Sequence, residues 1–100
     1  MIYRRVIAAD AQTDIVEAQQ WYEESQPGVG ERFREAVARA LQRVQERPFM
    51  YPVDFASDSA DVRRARVKRF PHYVLYRVRD DEVTILAVLH GHQDRPQWRS

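Results

Sequence analysis

The densest chemical signal in the sequence is a basic run, with five Arg or Lys among the seven residues from Arg63 to Arg69. Side chains alternate between the two faces of a strand, so Arg64, Arg66 and Lys68 are expected to share one face, with cations about 7 Å apart. Guanidinium groups bind phosphate and carboxylate oxygens equally well. The run therefore predicts a surface for an acidic partner; the alternative is an edge strand whose charges deter aggregation.

Three histidines, His72, His90 and His92, are the candidates for proton transfer near neutral pH. His90 ends the last predicted strand and His72 lies in an earlier turn, so the sequence gives no reason to place them together. We therefore favour surface or partner-contacting histidines over catalytic ones. No carboxylate stands at a supporting helical spacing and the chain has no cysteine, so no metal site is predicted. No cofactor is predicted either, because the chain lacks a glycine-rich phosphate loop.

Length, composition and charge limit the class of protein. The chain has 100 residues, 44% hydrophobic and 31% charged, which predicts one globular domain over residues 1–100. No apolar run is long enough for a signal peptide or a membrane span, so we expect a cytoplasmic protein without membrane contact. The net charge of +1 conceals an asymmetry, since residues 1–61 carry −4 and residues 62–100 carry +5. The second half is expected to form a basic surface.

Two amphipathic helices are predicted ahead of the basic run. The first follows a possible N-cap at Asp10 and the second runs from about Glu31 to Arg47, where Pro48 ends it. Residues 25–30 contain one proline and two glycines and predict a tight reversal between them. Apolar residues at helical spacing are expected to form the buried stripes: Ala11, Ile15, Ala18 and Tyr22 in the first helix, and Phe33, Val37, Ala40, Leu41 and Val44 in the second. Trp21, Tyr22 and Phe33 are interpreted as core beneath this turn.

Strands are predicted on both sides of the helices. Residues 2–8 favour a short first strand and residues 48–61 a loop. From Val62 the apolar period becomes two, which predicts three antiparallel strands: the basic strand, then Tyr73–Val78, then Val83–Leu89, with turns at residues 70–72 and 80–81. The expected architecture is α+β: a two-layer domain in the order β-α-α-β-β-β, with the helical hairpin packed on one face of a small, mainly antiparallel sheet.

An ordered set of short motifs extends over nearly the whole chain. It comprises Trp21-Tyr22, Pro27-Gly28-Val29-Gly30-Glu31-Arg32-Phe33, Pro48, Arg69-Phe70-Pro71 with Tyr73 and Tyr76, and His90 with Arg95-Pro96 and Trp98. In this order and spacing the chain resembles the RelE/ParE superfamily of type II toxin–antitoxin toxins, particularly its ParE-like branch. The resemblance implies a small intracellular toxin of a growth-inhibiting, plasmid-stabilising kind, held in a hetero-oligomer by a cognate antitoxin.

The resemblance also implies one of two mechanisms. ParE-like members bind DNA gyrase without being enzymes, whereas RelE-like members cut messenger RNA on the ribosome. RelE-like ribonucleases resemble one another in an arginine just ahead of the Val-x-Tyr-like part of the middle strand, where this sequence has Tyr73. We therefore favour the gyrase-binding mechanism. If the chain is a ribonuclease instead, its catalytic set would be His90 and His92 with Arg64 and Arg66. A third alternative is a non-toxic member that acts only in complex with its antitoxin.

The predicted contact surface for target and antitoxin combines the basic run with neighbouring and C-terminal residues. We expect the basic strand to pair with antitoxin carboxylates, and Trp98 either to dock on the domain or to contact a partner. The predicted contact residues are Arg64, Arg66, Lys68, Arg69, His72, Arg77, Arg95 and Trp98.

Overall fold

A five-stranded mixed sheet carries two helices on one face. The computed structural model describes residues 2–55 and 61–91. The strand order is β1-β5-β4-β3-β2, with β1 parallel to β5 and the other neighbours antiparallel. In chain order the elements are β1 (Arg4–Ile7), α1 (Ala9–Ser25), α2 (Val29–Glu46), β2 (Val53–Phe55), β3 (Val62–Arg66), β4 (His72–Arg79) and β5 (Glu82–His90). The predicted two-layer α+β fold is confirmed, and no helix in the described ranges is long and apolar enough to cross a membrane.

Strand β2 lies inside the segment that the sequence predicts as a loop. It has three residues and pairs irregularly with β3, with a register shift between Val53 and Phe55. The pairing extends through Pro52, whose carbonyl accepts the Arg64 N–H at 3.1 Å. Three residues are too few to show a periodic pattern in the sequence. The strand forms because its backbone bonds to β3.

The N-cap of helix α1 lies two residues before the predicted N-cap at Asp10, and that prediction is wrong. The N-cap is Ala8, which has extended backbone angles and no capping side chain. Its carbonyl accepts the Gln12 N–H at 3.0 Å, so the helix is already formed when the chain reaches Asp10. Asp10 instead lies in the first turn, where its negative charge is favourable beside the helix N-terminus.

The turn between the helices depends on two glycines and one carboxylate. Gly28 has φ 90°, a left-handed conformation that suits glycine. The Glu23 carboxylate accepts the N–H groups of Gly28 and Gly30 at 2.9 and 3.0 Å, which satisfies donors that the start of α2 would leave free. A Cβ on Gly30 would lie 2.6 Å from the Gln19 carbonyl oxygen, so the close approach of the helices requires glycine there.

The core lies between the helical hairpin and the sheet. All five residues of the predicted α2 stripe are buried, as are Ala11 and Ile15 of α1, while Ala18 and Tyr22 are partly buried and pack against them. Trp21 departs from the predicted core, because 64% of its surface is exposed. Tyr76 of β4 is fully buried and donates its hydroxyl to the Pro48 carbonyl at 2.6 Å, which joins the sheet to the end of α2.

Candidate binding surfaces

The register of the sheet assigns the candidate residues to opposite faces. Directly opposed residues of antiparallel strands project from the same face, and neighbours along one strand project from opposite faces. His72 opposes His90, whereas Arg66 opposes Tyr73, the residue next to His72. Arg64 lies two residues from Arg66 in β3 and shares its face. The two arginines therefore project away from the face that carries the two histidines.

The face away from the helices, which we call the outer sheet face, carries Arg64 and Arg66 of β3 beside Tyr73 of β4, with Arg77 four residues further along β4. The Arg64 guanidinium carbon lies 5.0 Å from the Tyr73 ring centroid, within the range of a cation–π contact. Its Nε is 3.8 Å from an Asp54 carboxylate oxygen, at the long end of an ion pair. Beneath these side chains lies a second apolar cluster, consisting of Val62, Leu75, Ala87 and Leu89. The outer sheet face thus combines guanidinium groups with an aromatic ring.

The basic run does not form the single row that the sequence predicts. Strand β3 ends at Arg66, and the chain turns at residues 68–70, where the Phe70 N–H donates to the Val67 carbonyl at 3.3 Å. Lys68 and Arg69 leave the strand with this turn and face helix α2. The prediction that Lys68 shares a row with Arg64 and Arg66 is therefore wrong, since it assumed that the strand continues through residue 68.

Lys68 and Arg69 line a groove with cations that the sequence analysis did not single out. The groove has a volume of about 610 Å³ and lies between α2 and the β3–β4 turn. Helix α2 contributes Arg32, Arg39 and Arg43 to it. Their spacing of seven and four residues places them on one side of a helix, and this is the sequence signal that could have identified them. We call this site the basic groove.

The two histidines of the described chain meet on the helix-covered face, although the sequence gave no reason to pair them. Their ring centroids are 5.3 Å apart, and the His72 ring lies 4.9 Å from that of Phe33. The Tyr22 hydroxyl is 3.5 Å from His72 Nδ1. His72 is only 6% exposed, and this burial, assisted by the nearby His90, lowers the pKa of His72 from 6.5 to about 4. At neutral pH the His72 ring is therefore uncharged.

A second groove, of about 770 Å³, opens beside the two histidines along α1. The exposed Trp21 and the carboxylates of Asp14 and Glu17 form its α1 side, and Val88 lies on the sheet side. The Asp14 carboxylate accepts the Val88 N–H at 3.0 Å, so it fixes α1 against β5. This groove has acidic and apolar walls, in contrast to the basic groove beside α2.

The residues of the ribonuclease alternative do not converge in the described structure. Arg64 and Arg66 lie on the outer sheet face, and His90 lies on the opposite face beside His72. His92, Arg95 and Trp98 lie outside the described residues. Within residues 2–55 and 61–91, no group of three or more His, Asp or Glu side chains is placed to hold a metal ion.

Sequence and structure comparisons agree with this architecture. The sequence model for the ParE toxin of the type II toxin–antitoxin system parDE matches residues 6–95. The chain belongs to the ParE toxin family. A search of curated proteins finds no significant match. Among solved structures, a chain of the chromosomal ParDE toxin–antitoxin system from P. aeruginosa is similar, with a TM-score of 0.74 and 17% identity over 89% of this chain and 96% of that one. A chain of the archaeal RelE–RelB complex from Pyrococcus horikoshii OT3 has a TM-score of 0.60 and 20% identity over 94% of this chain and 100% of that one.

The comparisons confirm the resemblance to the RelE/ParE superfamily of type II toxin–antitoxin toxins. The two structural relatives share the fold, two helices on a mixed sheet, with this ParE-family chain. Their low sequence identity means that the active or binding residues of this chain have to be argued from its own side chains.

Proposed function

We propose that this ParE-family toxin inhibits growth by binding DNA gyrase, without catalysing a reaction, and that a cognate antitoxin neutralises it in the cytoplasm. Membership of the ParE family over residues 6–95 supports the gyrase-binding mechanism over messenger RNA cleavage. The similarity to a ParDE structure and to a RelE–RelB complex supports an antitoxin as its partner.

The observation that carries the binding mechanism is the separation of the histidines from the arginines of β3. Cleavage of RNA by its 2′-hydroxyl needs a base, an acid and cations around a single phosphate. Here His90 projects from one face of the sheet, and Arg64 and Arg66 project from the other. His72 is buried, uncharged and beside the Tyr22 hydroxyl, which makes it a poor proton donor at neutral pH. This arrangement favours a surface that binds over a site that cleaves.

The outer sheet face is the surface that we assign to the target. A sheet face is broad, and this one carries Arg64, Arg66 and Arg77 together with Tyr73. Arginine and aromatic side chains are the residues that most often dominate the energy of protein interfaces. An acidic surface of a folded protein would match this face in charge and shape.

The test is inhibition of supercoiling by purified gyrase acting on relaxed plasmid DNA, with purified toxin added. The wild type should inhibit and accumulate cleaved DNA. The double variant Arg64→Glu/Arg66→Glu should need about tenfold more protein, because reversal turns attraction at two positions into repulsion. Arg5→Glu is the matched control, since Arg5 is an exposed arginine on β1 at the far edge of the sheet.

The absence of inhibition by the wild type at high concentration would contradict the gyrase target. If the double variant and Arg5→Glu lose inhibition equally, the outer sheet face is not the interface with gyrase. In cells, induction without antitoxin should stop DNA synthesis before protein synthesis; early failure of protein synthesis with shortened messages would favour the ribonuclease. Unchanged growth would favour the non-toxic alternative. The affinity of the same variants for the antitoxin reports whether the antitoxin also binds this face.

A further inference from the structure

The basic groove has a strong excess of positive charge in a small volume. Of the described residues, five cations and one carboxylate, that of Glu35, line it. Glu35 lies 3.6 Å from Arg39 in an exposed i,i+4 ion pair, which neutralises at most one of the five cations. The cations stand on both walls, with Arg32, Arg39 and Arg43 on α2 and Lys68 and Arg69 on the turn.

The lining of the groove also includes apolar groups whose positions are fixed. Val29 and Ala36 on α2 and Phe70 on the turn line the groove beside the cations. The Phe70 ring is half-buried and lies edge-on to the rings of Tyr22 and Phe33, with centroids 5.1 and 5.2 Å away. An occupant would therefore meet an ordered apolar surface as well as charge.

Arg69 occupies a backbone position that disfavours its side chain. Its φ is 72°, in the left-handed region that non-glycine residues rarely adopt. Such strain concentrates at functional sites, and here the strained residue lines the groove opposite α2. Glycine would fit this turn with less strain but would supply no charge.

The dimensions and chemistry of the groove indicate the class of its occupant. Arg32 and Arg43 are eleven residues apart, about 16 Å along a helix, which equals the length of about five residues of extended peptide. A peptide backbone offers N–H donors to Glu35, whereas a phosphate chain offers only negative charge there. The apolar lining would accept an aliphatic side chain between flanking carboxylates.

We propose that the basic groove binds an extended acidic segment of a protein partner, with an apolar side chain over Phe70 and carboxylates on the guanidinium groups of α2 and the turn. The inference rests on the proposed function in one respect, because it takes the antitoxin as the protein that supplies the segment. It is independent of gyrase, so its test needs only the purified toxin.

The probe is a fluorescein-labelled peptide of six glutamates and two central leucines, titrated with the intact toxin and followed by fluorescence anisotropy. Binding should be saturable and should weaken as salt rises, as expected for exposed charge pairs. A peptide with lysine in place of glutamate should not bind, and the all-glutamate peptide should bind less tightly because it lacks the leucines. Failure of the first peptide to bind at millimolar toxin would overturn the proposal.

Matched variants locate the binding site. Arg39 and Arg34 both lie on α2 in exposed ion pairs with a glutamate, but only Arg39 lines the groove. Arg39→Gln should weaken binding roughly threefold to fivefold and Arg34→Gln should leave it unchanged. Lys68→Gln/Arg69→Gly should weaken it by about tenfold or more while the fold is kept, because glycine suits φ 72°. Equal effects of Arg39→Gln and Arg34→Gln would refute the site.

The competing occupant is a nucleic acid. An oligothymidylate of eight nucleotides, added as competitor, should displace the acidic peptide only at much higher concentration than unlabelled peptide does. Displacement at lower concentration would overturn the choice of a protein segment. Each of these results is independent of whether the toxin inhibits gyrase, so the two proposals can fail separately.

Discussion

Acidification should destabilise this protein through His72. The His72 ring is buried against Phe33 and Tyr22, and its pKa falls from 6.5 to about 4 on folding. Above pH 6.5 both folded and unfolded chains hold the ring neutral, so it contributes no pH dependence there. Below pH 6.5 the unfolded chain binds a proton that the folded chain does not, and stability falls. Between pH 7.5 and 5.0 the loss is about 2 kcal/mol, from 1.5 pH units at about 1.36 kcal/mol each.

The assay is urea unfolding, followed by circular dichroism at pH 7.5, 6.0 and 5.0. The variant His72→Gln keeps a hydrogen-bonding side chain near the Tyr22 hydroxyl but cannot titrate. Its free energy of unfolding should fall by about 2 kcal/mol less than that of the wild type over the same range. His90, Asp14 and Glu17 lie around the same groove and remain in both proteins, so the difference reports the His72 ring together with its coupling to His90.

Two observations would refute this reasoning. One is the same pH dependence in the wild type and in His72→Gln. The other is a His72 ring resonance that titrates near pH 6.5 in the folded protein. Either result would mean that water reaches the ring, and the argument that His72 is a poor proton donor would fail with it. His72→Phe, which suits the aromatic surroundings, is a second variant if His72→Gln does not fold.

Two further predictions concern the elements that hold the binding surfaces in place. Gly30→Ala should destabilise the protein by roughly 2 kcal/mol in urea unfolding. Its Cβ would lie 2.6 Å from the Gln19 carbonyl oxygen, and this clash outweighs the gain in helix propensity. The control Gly91→Ala, whose Cβ would have its nearest contact at 3.4 Å, should change stability by less than about 1 kcal/mol. Tyr76→Phe removes the 2.6 Å hydrogen bond to the Pro48 carbonyl and should cost about 1–3 kcal/mol, seen as a lower melting temperature. An unchanged unfolding midpoint in Gly30→Ala would contradict the clash with Gln19, and an unchanged melting temperature in Tyr76→Phe would contradict the hydrogen bond to Pro48.

The helices and main strands were predictable because their burial follows the local period of the sequence. The α2 stripe from Phe33 to Val44 is buried as the 3.6-residue pattern predicts. The continuous apolar run in β5 matches a strand between two neighbours, since β1 pairs on one side and β4 on the other. Local patterns of this kind hold wherever one face meets the core and the other meets solvent.

The arrangement of the candidate sites was not predictable, because it depends on register and on where a strand ends. His72 and His90 are eighteen residues apart in sequence and face each other only through the pairing of β4 with β5. The separation of Lys68 from Arg66 follows from the end of β3, and the strand pattern carries no signal for that end. A strand that ended two residues later would have kept the single cationic row.

The end of β3 divides the basic run between two surfaces of different shape, which suit different partners. Arg64 and Arg66 stay on a broad face, whereas Lys68 and Arg69 join the arginines of α2 in a groove. A broad face suits a folded target and a groove suits a peptide segment. If both proposals hold, Arg64→Glu/Arg66→Glu should reduce gyrase inhibition more than peptide binding, and Lys68→Gln/Arg69→Gly should do the reverse. Loss of both activities in both variants would mean that the whole basic run acts as one surface.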